Sequence, residues 1–396
     1  MKLVDVCAFY APKGGGVRTY VDRKLKAGAA LGHEVVVIAP GEETRVEERG
    51  PNARIVWLKS TLFPLDFNYR YFSDVRALYA ALDREAPDMI EASSPWRSAS
   101  LVGEWPGTAP RALIMHADPL SAYAYRWFDG VAPRPVIDKA FDRYWRHLRK
   151  LDTQFDMIVS ASQGLSDRLA KGGLAGVVTN PMGVDPGVFS PTHRDERLRK
   201  GLLGLCELPE DATLLIGVGR FAPEKRWPML VDAVTAAGTH RPVGMVLAGQ
   251  GRDLKSIEKR IAGNPHIRIL EPISNRAELA RVMASADALV HGCEAETFCM
   301  VAAEARASGL PLIAPDEGGA ADQARDSGGW IYESGNAAAA AETIIEYCLA
   351  RESGIDGPRA QIPSPRVMDD HFAELFAHYE RLVREARRQP GPRRAA

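Results

Sequence analysis

Residues 288–314 read ALVHGCEAETFCMVAAEARASGLPLIA, and this stretch changes periodicity along its length. The apolar run Ala288–His291 predicts a buried strand, and Phe298–Ser308 predicts a helix with Thr297 as its N-cap. Gly309 is typical of a helix C-terminal stop before the next apolar run. The stretch therefore predicts a strand–helix–strand unit, the building block of a parallel sheet.

Two glutamates in this stretch, Glu296 and Glu304, are candidates for ligand binding. Glu296 lies at the predicted helix entrance, where the backbone N–H groups of Phe298, Cys299 and Met300 point outward and favour an anion. Glu304 falls about two turns into the helix among alanines, so its carboxylate requires a partner. The alternative is that both are solvated surface acids.

The alternation of short β-branched runs with longer amphipathic runs extends over the whole chain and predicts an α/β fold. In the first half the candidate strands are Leu3–Phe9, Glu34–Ala39, Arg54–Leu58, Met89–Glu91, Ala112–Met115 and Met157–Ser160. In the second half they are Leu214–Val218, Gly244–Ala248, Ile267–Leu270, Ala288–His291, Leu312–Ala314 and Trp330–Tyr332. Each series can build its own sheet.

A segment rich in proline, glycine and aspartate, NPMGVDPGVFSP at residues 180–191, separates the two series and reads as a linker. We expect one domain over residues 1–183 and a second over 184–365. Residues 366–396 then supply an amphipathic C-terminal helix, Val367–Arg388, and a frayed tail.

Composition excludes several classes of protein. The 396 residues carry 50 Lys+Arg against 51 Asp+Glu, which gives no overall field for nucleic acid. The five cysteines show no Cys-x-x-Cys spacing, which disfavours a disulfide framework or a zinc site and suits a reducing cytosol. The start reads as a strand and a turn, not a signal peptide, and no apolar run is long enough to span a bilayer. A cytoplasmic protein is expected, with peripheral contact to the inner face of the membrane as an alternative.

A glycine-rich turn, Lys13–Thr19, follows the first strand and precedes an amphipathic run. Glycines there let a ligand approach the backbone, and the helix N-terminus favours an anion. The second strand ends at Ala39-Pro40 without the acid that binds a ribose hydroxyl, which disfavours NAD. A tight turn without a ligand is the alternative.

A second loop, GVGRFAPEKR at residues 217–226, delivers Arg220 and Lys225 near the carboxyl end of a predicted strand. Two cations on one short loop suit a diphosphate, since arginine holds two oxygens and lysine acts as a point charge. A solvated charged loop is the alternative.

These segments together resemble family 4 of the retaining GT-B glycosyltransferases. The resemblance is carried by the glycine-rich first turn and, in order, by PMGVDPGVFSP, GVGRFAPEKRW, VLAGQGRDLKSIEK and AETFCMVAAEARASGLPLIAPDEGG. It implies two Rossmann-like domains facing across a cleft, the first on the acceptor side and the second binding the nucleotide sugar. It also implies that the C-terminal helix packs back on the first domain.

The resemblance further implies roles for particular residues. Arg220 and Lys225 would bind the donor diphosphate, Glu296 the transferred sugar and Glu304 the ribose hydroxyls. His116, after the strand Ala112–Met115, would contact the sugar or align the acceptor, although a lone histidine is more often structural. The other donor-binding positions would be Gly15, Gly16, Gly249, Gln250, Ile273, Phe298, Cys299 and Met300.

The implied reaction uses a UDP- or GDP-hexose as co-substrate, requires no metal and no resident cofactor, and retains the anomeric configuration. The chain departs from the family at Cys299, where glycine is usual, and after Asp316-Glu317-Gly318-Gly319, where a proline–acid pair is missing. A side chain at Cys299 would narrow the sugar pocket, so the identity of the donor stays open.

The sequence leaves the acceptor open between a lipid-linked acceptor, a soluble sugar and a growing polysaccharide. Residues 137–150 mix aromatic and basic side chains on a predicted helix, which either lies on an anionic membrane or packs its aromatics into the core. Two other functions fit the same pattern less well: a nucleotide-sugar epimerase of the same fold, and a non-catalytic two-domain sugar-binding protein.

Overall fold

The computed structural model describes residues 1–11, 16–63, 69–116, 118, 120, 133–354 and 362–388, without the side chains of residues 134 and 135. These residues form two compact units. The first takes in residues 1–118, 133–181 and the chain from Asp369, and the second takes in residue 120 and residues 182–368. That residue 183 divides an acceptor-side domain from a donor-side domain stays a prediction.

The first unit is built on an eight-stranded sheet in the order β10-β9-β8-β7-β1-β2-β4-β3, beside a small hairpin of β5 and β6. All neighbours in the large sheet pair in parallel except β3 with β4. The strands are β1 (Lys2–Val6), β2 (Glu34–Gly41), β3 (Arg45–Gly50), β4 (Ala53–Lys59), β5 (Thr61–Leu62), β6 (Arg70–Tyr71), β7 (Met89–Ala92), β8 (Arg111–Met115), β9 (Met157–Ser160) and β10 (Val177–Thr179).

The helices of the first unit are α1 (Gly16–Ala30), α2 (Val75–Glu85), α3 (Arg97–Glu104), α4 (Arg134–Ala140), α5 (Asp142–Gln154), α6 (Gln163–Lys171) and the C-terminal helix (Met368–Arg388). The C-terminal helix buries its apolar stripe within this unit. Its Phe376 approaches Gly28 of α1, and its Tyr379 hydroxyl donates to Glu91 of β7 at 2.6 Å.

The second unit has six parallel strands in the order β13-β12-β11-β14-β15-β16. They are β11 (Thr213–Val218), β12 (Val243–Ala248), β13 (Ile267–Leu270), β14 (Ala288–Val290), β15 (Leu312–Pro315) and β16 (Trp330–Tyr332). The helices are α7 (Glu196–Leu205), α8 (Trp227–Gly238), α9 (Leu254–Ile261), α10 (Arg276–Ser285), α11 (Met300–Ala307), α12 (Gly318–Asp326) and α13 (Ala337–Glu352). This is the Rossmann strand order. From β11 the chain adds β12 and β13 on one side of the sheet, and then β14, β15 and β16 on the other side. In such sheets ligands bind at the carboxyl ends of the strands where the order changes side, here between β11 and β14.

The predicted α/β fold with parallel sheets is confirmed, and the twelve predicted strands all form with small shifts at their ends. Two local predictions are wrong. The segment 137–150 is not one helix, because α4 ends at Ala140 and α5 begins at Asp142. Thr297 is not an N-cap: the backbone N–H of Gly319 donates to the Glu296 carbonyl at 2.7 Å and holds this part of the chain as a loop. The helix begins later, at Met300, with Cys299 as its N-cap.

Candidate active site

Three loops of the second unit follow neighbouring strands at the point where the strand order reverses. The loop after β11 carries Arg220 and Lys225, and the loop after β14 carries Glu296. The loop after β15 leads to Gly318, whose Cβ position would lie 2.3 Å from the Glu294 carbonyl oxygen. The last two loops are therefore packed so closely that only glycine fits there.

Two ion pairs join the loop after β11 to the loop after β14. Lys225 donates a short hydrogen bond to Glu296, and both side chains remain partly open, at 13% and 25% exposure. Beside it, Arg226 contacts the Glu294 carboxylate through Nε at 2.9 Å and Nη2 at 2.5 Å. The sequence predicted Lys225 and Glu296 as site residues but missed the second pair.

The Lys225–Glu296 pair is ionised at neutral pH. Burial alone would lower the pKa of Lys225, but the Glu296 carboxylate raises that pKa above its ordinary value. Burial would likewise raise the pKa of Glu296, and the Lys225 charge holds it below its ordinary value. A partly open ion pair at strand ends can exchange its partners for the phosphate and hydroxyl groups of a ligand.

Arg220 lies on the same loop as Lys225 and is exposed. Its side chain is 79% accessible and pairs with Glu224 at 3.1 Å. The adjoining loop after β12 is in close contact, because a Cβ at Gly249 would lie 1.9 Å from the Gly219 carbonyl oxygen. The Gln250 carbonyl accepts from the backbone N–H of Phe221 at 2.8 Å. The predicted donor-binding residues Gly249 and Gln250 thus adjoin the cationic loop.

The entrance of α11 has an unusual backbone. Phe298 and Cys299 are buried, and Cys299 has φ +65°, in the left-handed region that favours glycine. The backbone N–H groups of Ala302 and Ala303 donate to the Cys299 carbonyl. The N-terminus of α11 at Met300 has the N–H polarity that attracts anions. The Cys299 Sγ lies 3.6 Å from Nε2 of His291, a buried residue that the sequence analysis did not select.

Glu304 has the partner that its position among alanines predicted. Its Oε1 lies 2.9 Å from Nη1 of Arg276, which opens α10 directly after the N-cap Asn275. Arg276 also approaches Asp185 at 3.4 Å and lies over the Phe189 ring. The predicted donor-binding residue Ile273 is half-buried in the segment before this helix. Arg276 was missed because nothing in the sequence pairs it with a residue on α11.

The candidate residues of the first unit lie on two elements. His116 directly follows β8, and its ring packs 4.9 Å from the ring of Tyr20. Burial and the nearby Lys24 lower the pKa of His116 to about 4, so its imidazole is neutral at pH 7. Gly16 is the exposed first residue of α1, and Gly15 lies outside the described residues.

Among the described residues, one group in the second unit has potential metal ligands close together. The ligand atoms of His291, Glu296 and Cys299 all lie within 4.8 Å of one another. The sequence itself shows no convincing metal-ligand spacing here, because left-handed backbone at Cys299 rather than helical periodicity brings the thiol to this point.

Comparison with known proteins identifies the family. Residues 14–188 match the family described as Glycosyltransferase Family 4, and residues 206–353 match Glycosyl transferases group 1. A GDP-mannose-dependent alpha-mannosyltransferase of Mycobacterium tuberculosis is 31% identical over 330 residues, covering 81% of each chain. The chain belongs to family 4 of the GT-B glycosyltransferases.

Two further similarities agree with this family 4 assignment. A GDP-mannose-dependent alpha-(1-6)-phosphatidylinositol dimannoside mannosyltransferase of Mycobacterium tuberculosis is 30% identical and covers 79% of each chain. The sucrose-phosphate synthase of Thermosynechococcus elongatus has the same fold, with a TM-score of 0.74 at 19% identity over 97% of this chain and 100% of that one. This family 4 protein is therefore a glycosyltransferase that uses a nucleotide sugar. None of its described helices is long and apolar enough to cross a membrane.

Proposed function

We propose that the protein transfers mannose from GDP-mannose to a hydroxyl of a lipid-linked mannoside, with retention of the anomeric configuration. The donor is supported by the two mycobacterial relatives described above, both named as GDP-mannose-dependent. The acceptor is supported by the relative whose name specifies phosphatidylinositol dimannoside. The observation that carries the reaction is the partly open Lys225–Glu296 pair at the strand ends.

Each group of this site has a distinct task in the proposed reaction. Lys225, with Arg220 and the N–H groups at the start of α11, stabilises the negative charge that grows on the leaving diphosphate. Glu296 accepts a hydrogen bond from a hydroxyl of the transferred mannose. Glu304, held by Arg276, accepts from the ribose hydroxyls.

The chemistry is a same-face substitution at the anomeric carbon. The bond from that carbon to the β-phosphate oxygen breaks as the acceptor oxygen forms the new bond. The proton of the acceptor hydroxyl passes to the departing phosphate oxygen, so His116 need not act as a general base. Because the protein itself supplies the cationic stabilisation, the reaction requires no metal.

The basic segment of the first unit does not by itself argue for a membrane-bound acceptor. Trp145 and Leu148 of α5 are buried, while Arg146 and Lys150 pair with Asp142 and Glu104 at 2.8 and 3.2 Å. This arrangement favours the interpretation that the helix packs its aromatic face inward. The only remaining argument for membrane contact is that the proposed acceptor is a lipid.

The test is a transfer assay of purified protein with GDP-mannose, UDP-glucose or UDP-galactose against phosphatidylinositol mannosides and free mannosides. We expect transfer from GDP-mannose to the lipid mannoside, with an α-linked product by NMR. Activity should persist in excess EDTA. Transfer from a UDP-sugar alone, a β-linked product, or loss on chelation that manganese or magnesium restores would each contradict the corresponding part of the proposal.

A further inference from the structure

The group formed by His291, Glu296 and Cys299 combines three kinds of metal ligand in one loop after β14. His291 and Cys299 are nearly fully buried, while the side chain of Glu296 is 25% exposed to solvent. An imidazole, a carboxylate and a thiol form a donor set that favours Zn²⁺ over Mg²⁺ or Ca²⁺. This combination goes beyond what donor binding requires.

The distances also suit zinc. A tetrahedral zinc ion with bonds of about 2.0–2.3 Å holds its ligand atoms roughly 3.4–3.6 Å apart. Here Nε2 of His291 lies 3.6 Å from the Cys299 sulfur and 3.8 Å from Oε1 of Glu296. The Glu296 oxygen lies within 4.8 Å of the Cys299 sulfur, and the side chain of Glu296, the most accessible of the three, would have to turn from Lys225 towards the ion to complete the geometry.

The backbone supplies an independent observation. Cys299 occupies φ +65°, where a residue with a Cβ is strained and glycine is not. Strained non-glycine residues cluster at functional sites. The strained residue is the one whose sulfur lies 3.6 Å from Nε2 of His291.

We propose that His291, Glu296 and Cys299 bind one Zn²⁺ ion with an open fourth position, and that the bound ion excludes the sugar nucleotide. On binding, the Cys299 thiol releases its proton, and thiolate and carboxylate together neutralise the two charges of the metal. Glu296 then leaves Lys225 and no longer accepts from a sugar hydroxyl. This exclusion rests on the proposed donor site, whereas the metal site itself does not.

Cobalt and zinc alone can test the metal site. Metal-stripped wild-type protein, Cys299→Gly and the control Cys348→Ala are titrated with Co²⁺ and then with Zn²⁺ against a chromophoric chelator. Cys348 is a buried cysteine of α13 and lies outside the site. We expect one equivalent and a cobalt–thiolate charge-transfer band in wild type and control. In Cys299→Gly the band should vanish and zinc affinity fall by at least about 100-fold.

Glycine suits the left-handed backbone, so Cys299→Gly should fold. His291→Gln gives a second test, because it should lower the affinity for zinc while the thiol remains. Absence of the band in wild type, or its persistence in Cys299→Gly, would overturn the site. GDP-mannose at saturation should displace cobalt and abolish the band, and an unchanged band would overturn the exclusion. If the enzyme proves not to bind GDP-mannose at all, the metal titrations still decide the site, so the two failures are distinguishable.

Discussion

Each unit of this glycosyltransferase contains a lysine bonded to carboxylates, but the two environments differ. In the first unit the side chain of Lys24 is 0% exposed and contacts Asp5 at 2.6 Å and also Glu91. The remaining oxygens of those carboxylates accept from Ser93 and Tyr379. The cluster is closed, because the protein itself satisfies every group in it.

The second cluster is open. Lys225 and Glu296 are both partly accessible, and the neighbouring Arg220 is largely exposed. The difference follows from position along the strands. Asp5 and Glu91 lie within the central strands β1 and β7, whereas Lys225 and Glu296 come after strands have ended. A lysine–carboxylate pair inside a sheet is therefore part of the core, where loss of one partner leaves a buried charge, and the same pair beyond the carboxyl ends can bind a ligand.

The largest effect is expected from opening the closed cluster. Lys24→Met removes the cation that joins two buried carboxylates and should lower the free energy of unfolding by about 3–5 kcal/mol. Chemical denaturation measures it, with Lys26→Met on the exposed side of the same helix as the control. A loss no larger than that of the control would mean that the closed cluster does not stabilise the fold.

The matched change in the open cluster, Lys225→Met, should act on ligand binding instead of folding. Loss of a phosphate partner should weaken GDP binding by about 2–4 kcal/mol, or roughly 30- to 1000-fold. Its unfolding free energy should change much less than that of Lys24→Met, because Glu296 can be hydrated. Titration calorimetry measures the affinity for GDP, with Lys255→Met on the exposed face of α9 as the control. Unchanged GDP affinity would remove Lys225 from the diphosphate site.

Much of this comparison could be predicted from the sequence, and the rest depends on tertiary contacts. The strands follow buried apolar runs, and Glu304 among alanines correctly indicated a partner. The partner itself, Arg276, lies on another helix and no local pattern pairs the two. Likewise Lys225 and Glu296 were chosen separately, and their direct bond spans 71 residues.

The backbone of Cys299 was also beyond sequence reasoning. From the family resemblance, glycine is usual at this position, and the expected consequence of cysteine was a narrower sugar pocket. The left-handed φ of this residue gives the glycine preference a backbone explanation. A local pattern predicts a helix from Phe298. It cannot reveal that the distant Gly319 donates to the Glu296 carbonyl and keeps the residues before Met300 in a loop.

The two glutamates of the site, Glu296 in the open cluster and Glu304 beside Arg276, should separate sugar contact from ribose contact. Glu304→Gln keeps an acceptor oxygen and should mainly raise the donor KM, because the ribose contact is the same in ground and transition states. Glu296→Gln should mainly lower kcat, about 10-fold or more, with little effect on GDP affinity. Steady-state kinetics and GDP titration measure both, with exposed Glu258→Gln as the control. If the two variants lowered the affinity for GDP equally, the division of roles would be disproved.

The smallest effect concerns backbone strain, which occurs in the loops that carry the open cluster and not at the residues of the closed one. Arg226 and Cys299, both in the site loops, have φ of +50° and +65°, whereas Lys24, Asp5 and Glu91 are not among the residues with positive φ. Cys299→Gly and Cys299→Ala each remove the thiol, but only alanine keeps the Cβ that is strained there. Glycine relieves about 1–2 kcal/mol of strain and loses about 0.4–1 kcal/mol through greater freedom in the unfolded chain. The glycine variant should therefore be more stable than the alanine variant by about 0.5–1 kcal/mol, the reverse of the usual order within a helix. Paired denaturation curves of the two variants measure the difference, and an alanine variant of equal or greater stability would show that this backbone is not strained.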